Sequence, residues 1–234
     1  GVETVILVGA REPVSSFGYP GLPSSLVPAD AAVQSLAGAP QDSPDDAVDA
    51  PYDVPTASLR SALSCPEGFV HGRPVLLVHG TGSTAAESWD RTYTAPLELQ
   101  GFDVCRVTIP GRTLLDAQVS AEYVAFALTQ VARMTGHKVA VIGHSQGNLN
   151  IRWALTFWPS ARAVVSDFVS LAGDHHGASG ADGVCASGSC VPSVWQQRPS
   201  SQFLKALNRR PETFPGVATT SIWSLRPAAR SDPR

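Results

Sequence analysis

Residues 138–147, KVAVIGHSQG, constrain this chain more than any other stretch. A short, mostly apolar run enters Gly-His-Ser-Gln-Gly, and helix-forming sequence follows without a linker. The run has the length and composition of a buried strand. Beyond it, Leu149, Ile151, Trp153, Leu155 and Phe157 are distributed around a helical wheel, which predicts a buried helix over 146–157 ended by Pro159. A strand that becomes a helix this abruptly must turn sharply at Ser145. Gly143 and Gly147 fit that turn, because side chains there would collide with the neighbouring strand and helix.

The same alternation recurs along the chain. Residues 74–80, 102–110, 138–144 and 167–174 are apolar runs bounded by turn residues, and 218–224 is a weaker fifth. In 116–134, Ala121, Val124, Ala125, Leu128, Val131 and Ala132 fall on one helical face, and 200–210 is another candidate helix. Continuous apolar strands alternating with helices predict an α/β fold, a mostly parallel sheet with helices on both faces. No internal repeat is visible.

Residues 11–56 are rich in Pro, Ala, Ser, Gly and Asp and keep no period. The segment 1–56 reads as a pro-segment or loosely ordered arm, and an extended wrap over the domain is the other reading for 50–64. The folded domain is expected over 57–224. The tail RPAARSDPR (226–234) carries no strand or helix period, so 225–234 is set apart from it. The chain starts at Gly1 and not at Met, so a processed or partial product is expected.

A net charge of −3 offers no basic field for nucleic acid or an anionic membrane. No apolar run approaches the roughly 18 residues of a membrane span. Four cysteines, Cys65, Cys105, Cys185 and Cys190, permit two disulfides in any of three pairings. The even count and single Met favour an exported protein. A zinc reading from Cys185, Cys190, His175 and His176 is weak, because C-x4-C beside a flexible Gly/Ser loop is poor evidence for zinc, and no metal is expected.

Chemistry concentrates at the turn. In G-x-S-x-G the serine hydroxyl projects from a strained strand-to-helix turn, and the N–H of the next residue, Gln146, can stabilise an oxyanion. A second oxyanion donor belongs in the loop after the first strong strand. There HGTGST (79–84) offers Thr81, with both N–H and O–H.

The segments at 74–90, 143–160, 171–177 (LAGDHHG) and 191–197 (VPSVWQQ) resemble the Candida antarctica lipase B family. The resemblance runs from about 55 to 224. It implies an α/β-hydrolase fold and secreted lipase or carboxylesterase activity on acylglycerol or related esters. Ser145 would be the nucleophile, Thr81 and Gln146 the oxyanion donors, and Asp174 a wall of the acyl pocket. The segments ending at Cys65 and Cys105 sit where the family joins its early part to its second main strand. This implies the pairs Cys65–Cys105 and Cys185–Cys190.

Two departures follow. His144 stands where the best-known member has a Trp shaping its alcohol pocket. The resemblance stops at 221–224, before the family's catalytic acid, which by register falls at Pro227, and before its histidine. His175 and His176 are the only histidines after Ser145, and two residues so near Asp174 cannot complete a triad with it. The expectation is therefore a C-terminally truncated hydrolase that needs no cofactor. It would be a monomer, meet a lipid or ester substrate and touch a lipid interface transiently. An inactive short form that binds lipid or protein, and an acyltransferase, are the alternatives.

Overall fold

A computed structural model describes residues 48–222 and two short strands, β1 (Thr4–Leu7) and β2 (Ala32–Ser35), which pair in parallel. The tail at 225–234 lies outside the described residues. The main sheet holds β3 (Leu63–Ser64), β4 (Pro74–Val78), β5 (Asp103–Val107), β6 (Val139–His144), β7 (Val165–Leu171) and β8 (Ala218–Ile222). Its spatial order is β3-β5-β4-β6-β7-β8; β3 is antiparallel to β5, and every other pair is parallel.

Alternation along the strands divides the core in two. Leu76, Val78, Cys105, Val107, Val141 and Phe168 face a large cluster. It is covered by α1 (Thr56–Ser61), α4 (Ala117–Thr135), α5 (Gln146–Phe157), α6 (Pro159–Ala163) and α9 (Gln202–Asn208). Val75, Leu77, Val104, Ile142 and Leu171 face the other way, against Ala85, Trp89 and the half-buried Leu97. Those three belong to one irregular helical segment: α2 (Ala85–Trp89), a π turn (Asp90–Thr94) and α3 (Ala95–Leu99). Helices thus lie on both faces, as the sequence predicts. β8 is exposed at all five positions, although it pairs along its length with β7.

The long elements match their predicted spans. The predicted helix 146–157 coincides with α5, and Pro159 opens α6 rather than extending α5. The predicted strand 167–174 starts earlier and stops at Leu171, because Ala172 takes φ 47° and leaves the ladder. The short helices α2, α3, α7 (Ser179–Val184) and α8 (Pro192–Gln196) have too few turns to display a period. Among the described residues no helix is long and apolar enough to cross a membrane.

Two disulfides form, Cys65–Cys105 and Cys185–Cys190. The first ties the chain after β3 to β5; the second closes the loop between α7 and α8. The second also consumes both thiols that a zinc site would need.

Residues 48–54 run along α4, α5 and α6 as a strap. Asp49 caps α6 by accepting from the Ser160 N–H (2.9 Å) and hydroxyl. The Ala50 N–H donates to the Phe157 carbonyl (2.9 Å), and the Val54 N–H donates to the buried Glu122 carboxylate (2.8 Å). Tyr52 stacks on Trp158 at 5.7 Å and meets Phe126 edge-on. Burial, with Asp49 nearby, pushes its hydroxyl up to about 12. Tyr52→Ala is expected to cost about 1 kcal/mol, the usual worth of such ring contacts. Limited proteolysis would then cut within 48–54 while the fragment from α1 onward stays intact. Unchanged cleavage would show that the strap is held by its backbone alone.

Candidate active site

The turn from β6 into α5 carries Ser145 at φ 52°, ψ −127°, a conformation that L-residues rarely adopt. Surrounding bonds over-determine it. The Ser145 N–H donates to the Leu171 carbonyl (3.0 Å), and the Ser145 carbonyl accepts from the Asn148 N–H (3.0 Å). The first turn of α5 is seated against the end of β4: a Cβ on Gly147 would lie 2.5 Å from the Val78 carbonyl oxygen and 2.8 Å from that of His79. No L side chain fits there. The loop after β4 also abuts the serine, since the side-chain position of Gly80 lies 3.0 Å from Ser145 Cβ.

That loop is braced by the segment after β5. His79 is fully buried; its Nε2 accepts from the Ile109 N–H (3.0 Å), which leaves Nδ1–H to donate to the Gly80 carbonyl (3.2 Å). With one ring nitrogen accepting, the imidazole is neutral, and burial pushes its pKa down. The Thr113 hydroxyl donates to the Gly80 carbonyl (2.7 Å). Gly82 and Arg112 exchange two bonds of 2.8 Å, Gly82 N–H to the Arg112 carbonyl and Arg112 Nε–H to the Gly82 carbonyl. Arg112 also pairs with Glu87 (2.8 Å). Gly111, Arg112 and Thr113 have φ of 62°, 58° and 55°, so three successive residues are left-handed where they grip the loop.

The structure brings Thr81 and Gln146 together. The Thr81 hydroxyl donates to Gln146 Oε1 (2.6 Å), and Gln197 Nε2 lies 3.1 Å from both that oxygen and Thr81 Oγ1. Sequence reasoning gave Thr81 two free donors; its hydroxyl is committed here. The backbone N–H groups of Thr81 and Gln146 donate to no other described residue. An arrangement of this kind can present a half-buried hydroxyl beside two uncommitted N–H donors.

His144 is exposed and meets Trp89 edge-on at 6.4 Å. His175 turns away from Ser145: its Nε2 contacts Ser170 Oγ (2.9 Å), its ring lies against Phe168, and burial pushes its pKa down to about 4. His176 is exposed and pairs with Glu212 (3.0 Å). Among the described residues, no histidine hydrogen-bonds the Ser145 hydroxyl. Nor does any group of three or more His, Cys, Asp or Glu among them form a metal cluster. Asp174 follows β7 with both carboxylate oxygens shut off from solvent and bonded to no other residue; burial pushes its pKa up to about 6.

A mostly parallel sheet carrying a strained serine between β6 and α5 is the α/β-hydrolase fold. Residues 74–214, more than half of the chain, match the family described as Palmitoyl protein thioesterase, and the chain belongs to that family. It is also 34 % identical over 180 residues to Lipase B of Pseudozyma antarctica, across 75 % of this chain and 52 % of that protein. The crystal structure of Aspergillus fumigatus lipase B superposes with a TM-score of 0.66 at 33 % identity, over 74 % of this chain and 43 % of that one. The mature-form lipase BlEst2 of Bacillus licheniformis shares the fold at TM-score 0.57 and 19 % identity, over 68 % of this chain and 70 % of that one. The chain thus spans about half the length of the two lipase B proteins. A stretch of 37 residues is 60 % identical to the putative acetolactate synthase large subunit IlvX of Mycobacterium tuberculosis, covering 16 % of this chain and 7 % of that protein. So short a match carries no function.

Several residues escaped the sequence reading. Gln197 and Gln196 lie in the quoted VPSVWQQ: Gln197 braces Thr81 and Gln146, while Gln196 accepts from the Ala117 N–H (2.7 Å) and donates to Asp116 at the cap of α4 (3.1 Å). Trp89 follows the Thr84–Glu87 capping box, a signal that was present in the sequence. Arg112 and Thr113 gave no signal.

Asp174 supplies a pH test. Its unfolded carboxyl ionises near 3.9 and its folded one at about 6. Between those values the native protein holds one proton more than the unfolded chain. Stability contributed by this group is therefore full below the lower value, falls as pH rises through the window, and is level above it. Asp174→Asn is expected to raise the unfolding free energy from urea titration at pH 8 by at most about 3 kcal/mol, with little gain at pH 4. Equal gains at both pH values would mean that the carboxylate is solvated.

Proposed function

We propose that this chain is the core of a serine ester hydrolase of the lipase and carboxylesterase kind, with Ser145 as nucleophile. One observation carries the reading: a half-buried serine held at φ 52° beside the uncommitted N–H groups of Thr81 and Gln146. Ser145 Oγ attacks the ester carbonyl, and the carbonyl oxygen, now an oxyanion, accepts from those two N–H groups. The alcohol leaves with a proton, and water then hydrolyses the acyl-enzyme to release the acid. No cofactor takes part.

The base that receives the serine proton is a histidine outside residues 48–222, since neither His175 nor His176 is turned toward Ser145. Asp174 lines the acyl side of the pocket and His144, beside Trp89, the alcohol side. The uncharged dipoles of Thr81, Gln146 and Gln197 beside the serine suit an uncharged acylglycerol or related ester. Two disulfides suit an oxidising, extracytoplasmic compartment, and secretion is part of the proposal.

Extending the chain after Ser224 with a lipase-B-like segment that contains the acid and histidine is expected to produce hydrolysis of p-nitrophenyl butyrate. Ser145→Ala should lower that rate about 10⁶-fold, the cost of removing such a nucleophile. Residues 1–234 alone should run near background. Strong Ser145-dependent turnover by 1–234 alone would sink the assignment of the base. Turnover indifferent to Ser145→Ala would sink the whole reading.

In the active, extended chain, His144→Trp is expected to lower kcat/KM for esters of bulky secondary alcohols more than for ethyl esters. The difference should be about 1–3 kcal/mol, because the indole fills space that the imidazole leaves open. Equal losses for both ester classes would remove His144 from the alcohol side.

A further inference from the structure

Asn148 has no part in the chemistry above, yet its side chain grips the backbone of the serine turn. It is fully buried in the first turn of α5. Its Nδ2 donates to the Ser145 carbonyl (3.0 Å) and to the Leu171 carbonyl (3.1 Å). The first of these oxygens also accepts from the Asn148 N–H, and the second from the Ser145 N–H, each at 3.0 Å. One carboxamide therefore bridges the two carbonyls that fix Ser145, one on each side of the junction between β6 and β7.

The chemistry of the side chain sets its orientation. Both groups in front of it are acceptors, so only the NH2 end can face them. Its Oδ1 is left without a partner, turned toward Gly143, where a Cβ would come within 2.4 Å. A buried, unpaired amide oxygen is unfavourable, and Asn is a poor helix former. An apolar residue would fill this position without either cost. What only an amide supplies is two N–H donors at one point.

We infer that Asn148 is a positioning residue. By tying the Ser145 carbonyl to the end of β7, it holds the serine in its strained conformation and sets the direction in which Oγ leaves the sheet. The effect on Ser145 reactivity rests on the ester-hydrolase reading, whereas the effect on the Ser145 backbone does not.

The test measures hydrogen exchange on the full chain and serine labelling on the active, extended chain. In the unmodified protein the Asn148 side-chain NH2, followed by ¹⁵N NMR, is expected to exchange at least about tenfold more slowly than a free Asn amide. Exchange at the free rate would overturn the inference without any variant. In Asn148→Ala, protection of the Ser145 amide should drop about tenfold while the amides of Val141 and Leu155 keep theirs. Asn148→Asp should be at least as damaging as Asn148→Ala, because a carboxylate facing two carbonyl oxygens cannot donate. A residue that merely filled space would give the opposite order, since Asp is nearly isosteric with Asn; that order, or unchanged Ser145 protection, would refute the assignment. In the active, extended chain, an alkyl fluorophosphonate should label Ser145 several-fold more slowly in both variants. Equal labelling despite lost protection would overturn the positioning role. Absence of labelling in the extended chain without either substitution would count against the ester-hydrolase reading, and the exchange data would still decide the role of Asn148.

Discussion

The contact between the start of α5 and the end of β4 governs the geometry of the site. Gly147 brings helix backbone to within side-chain distance of the Val78 and His79 carbonyls. At that separation the connection from β6 has no room for a loop, so Ser145 alone must reverse the chain, and it does so in a conformation that needs external support. Leu171 and Asn148 supply it from one side. On the other side the segment 79–82 is pressed against the serine and is itself gripped by Ile109, Arg112 and Thr113. Gln197 closes the ring from α8, whose neighbouring loop is held by Cys185–Cys190. Hydrogen bonds from Leu171 and Asn148 hold the strained residue, and those from 109–113 and Gln197 brace the groups beside it.

Most of the groups that bond to one another around the serine are uncharged. Burial drives His79 and His175 toward their neutral forms. Thr81, Gln146 and Gln197 bind one another through uncharged dipoles. Fixed dipoles in a poorly solvated site interact strongly with a charge that appears only as bonds rearrange. Arg112 and Glu87 pair with each other at the exposed rim.

Much of this was legible in the sequence, and the exceptions have a common cause. Strands β4, β5, β6 and β7 and helices α4 and α5 announced themselves because burial imposes composition and period on long elements. Ser145 and Gln146 were singled out by the small residues that a sharp turn needs at fixed offsets, and Thr81 by its loop after the first strong strand. Along α5 the apolar residues were read correctly as buried, but Asn148, Asn150 and Arg152 are buried beside them. Periodicity weighs apolar residues and has no means of recognising a polar residue whose partners are distant in sequence. Arg152 illustrates this: its Nη1 donates to Asn208 (3.0 Å), 56 positions away. The short helices around Trp89 and Val184 fell below the length at which a period exists.

The sequence by itself determined the class of fold, the order of the main strands and helices, and the serine at the turn. These follow from local rules: apolar runs make buried strands, and a strand that meets a helix without a linker must bend at one small-flanked residue. Only the tertiary structure decided that the Thr81 hydroxyl is committed to Gln146, that His175 faces Ser170 and not Ser145, and that Asn148 holds the serine backbone. Each of those outcomes depends on which hydrogen-bond donors and acceptors meet in space. Packing fixes that over tens of residues of separation, and a linear pattern does not record it.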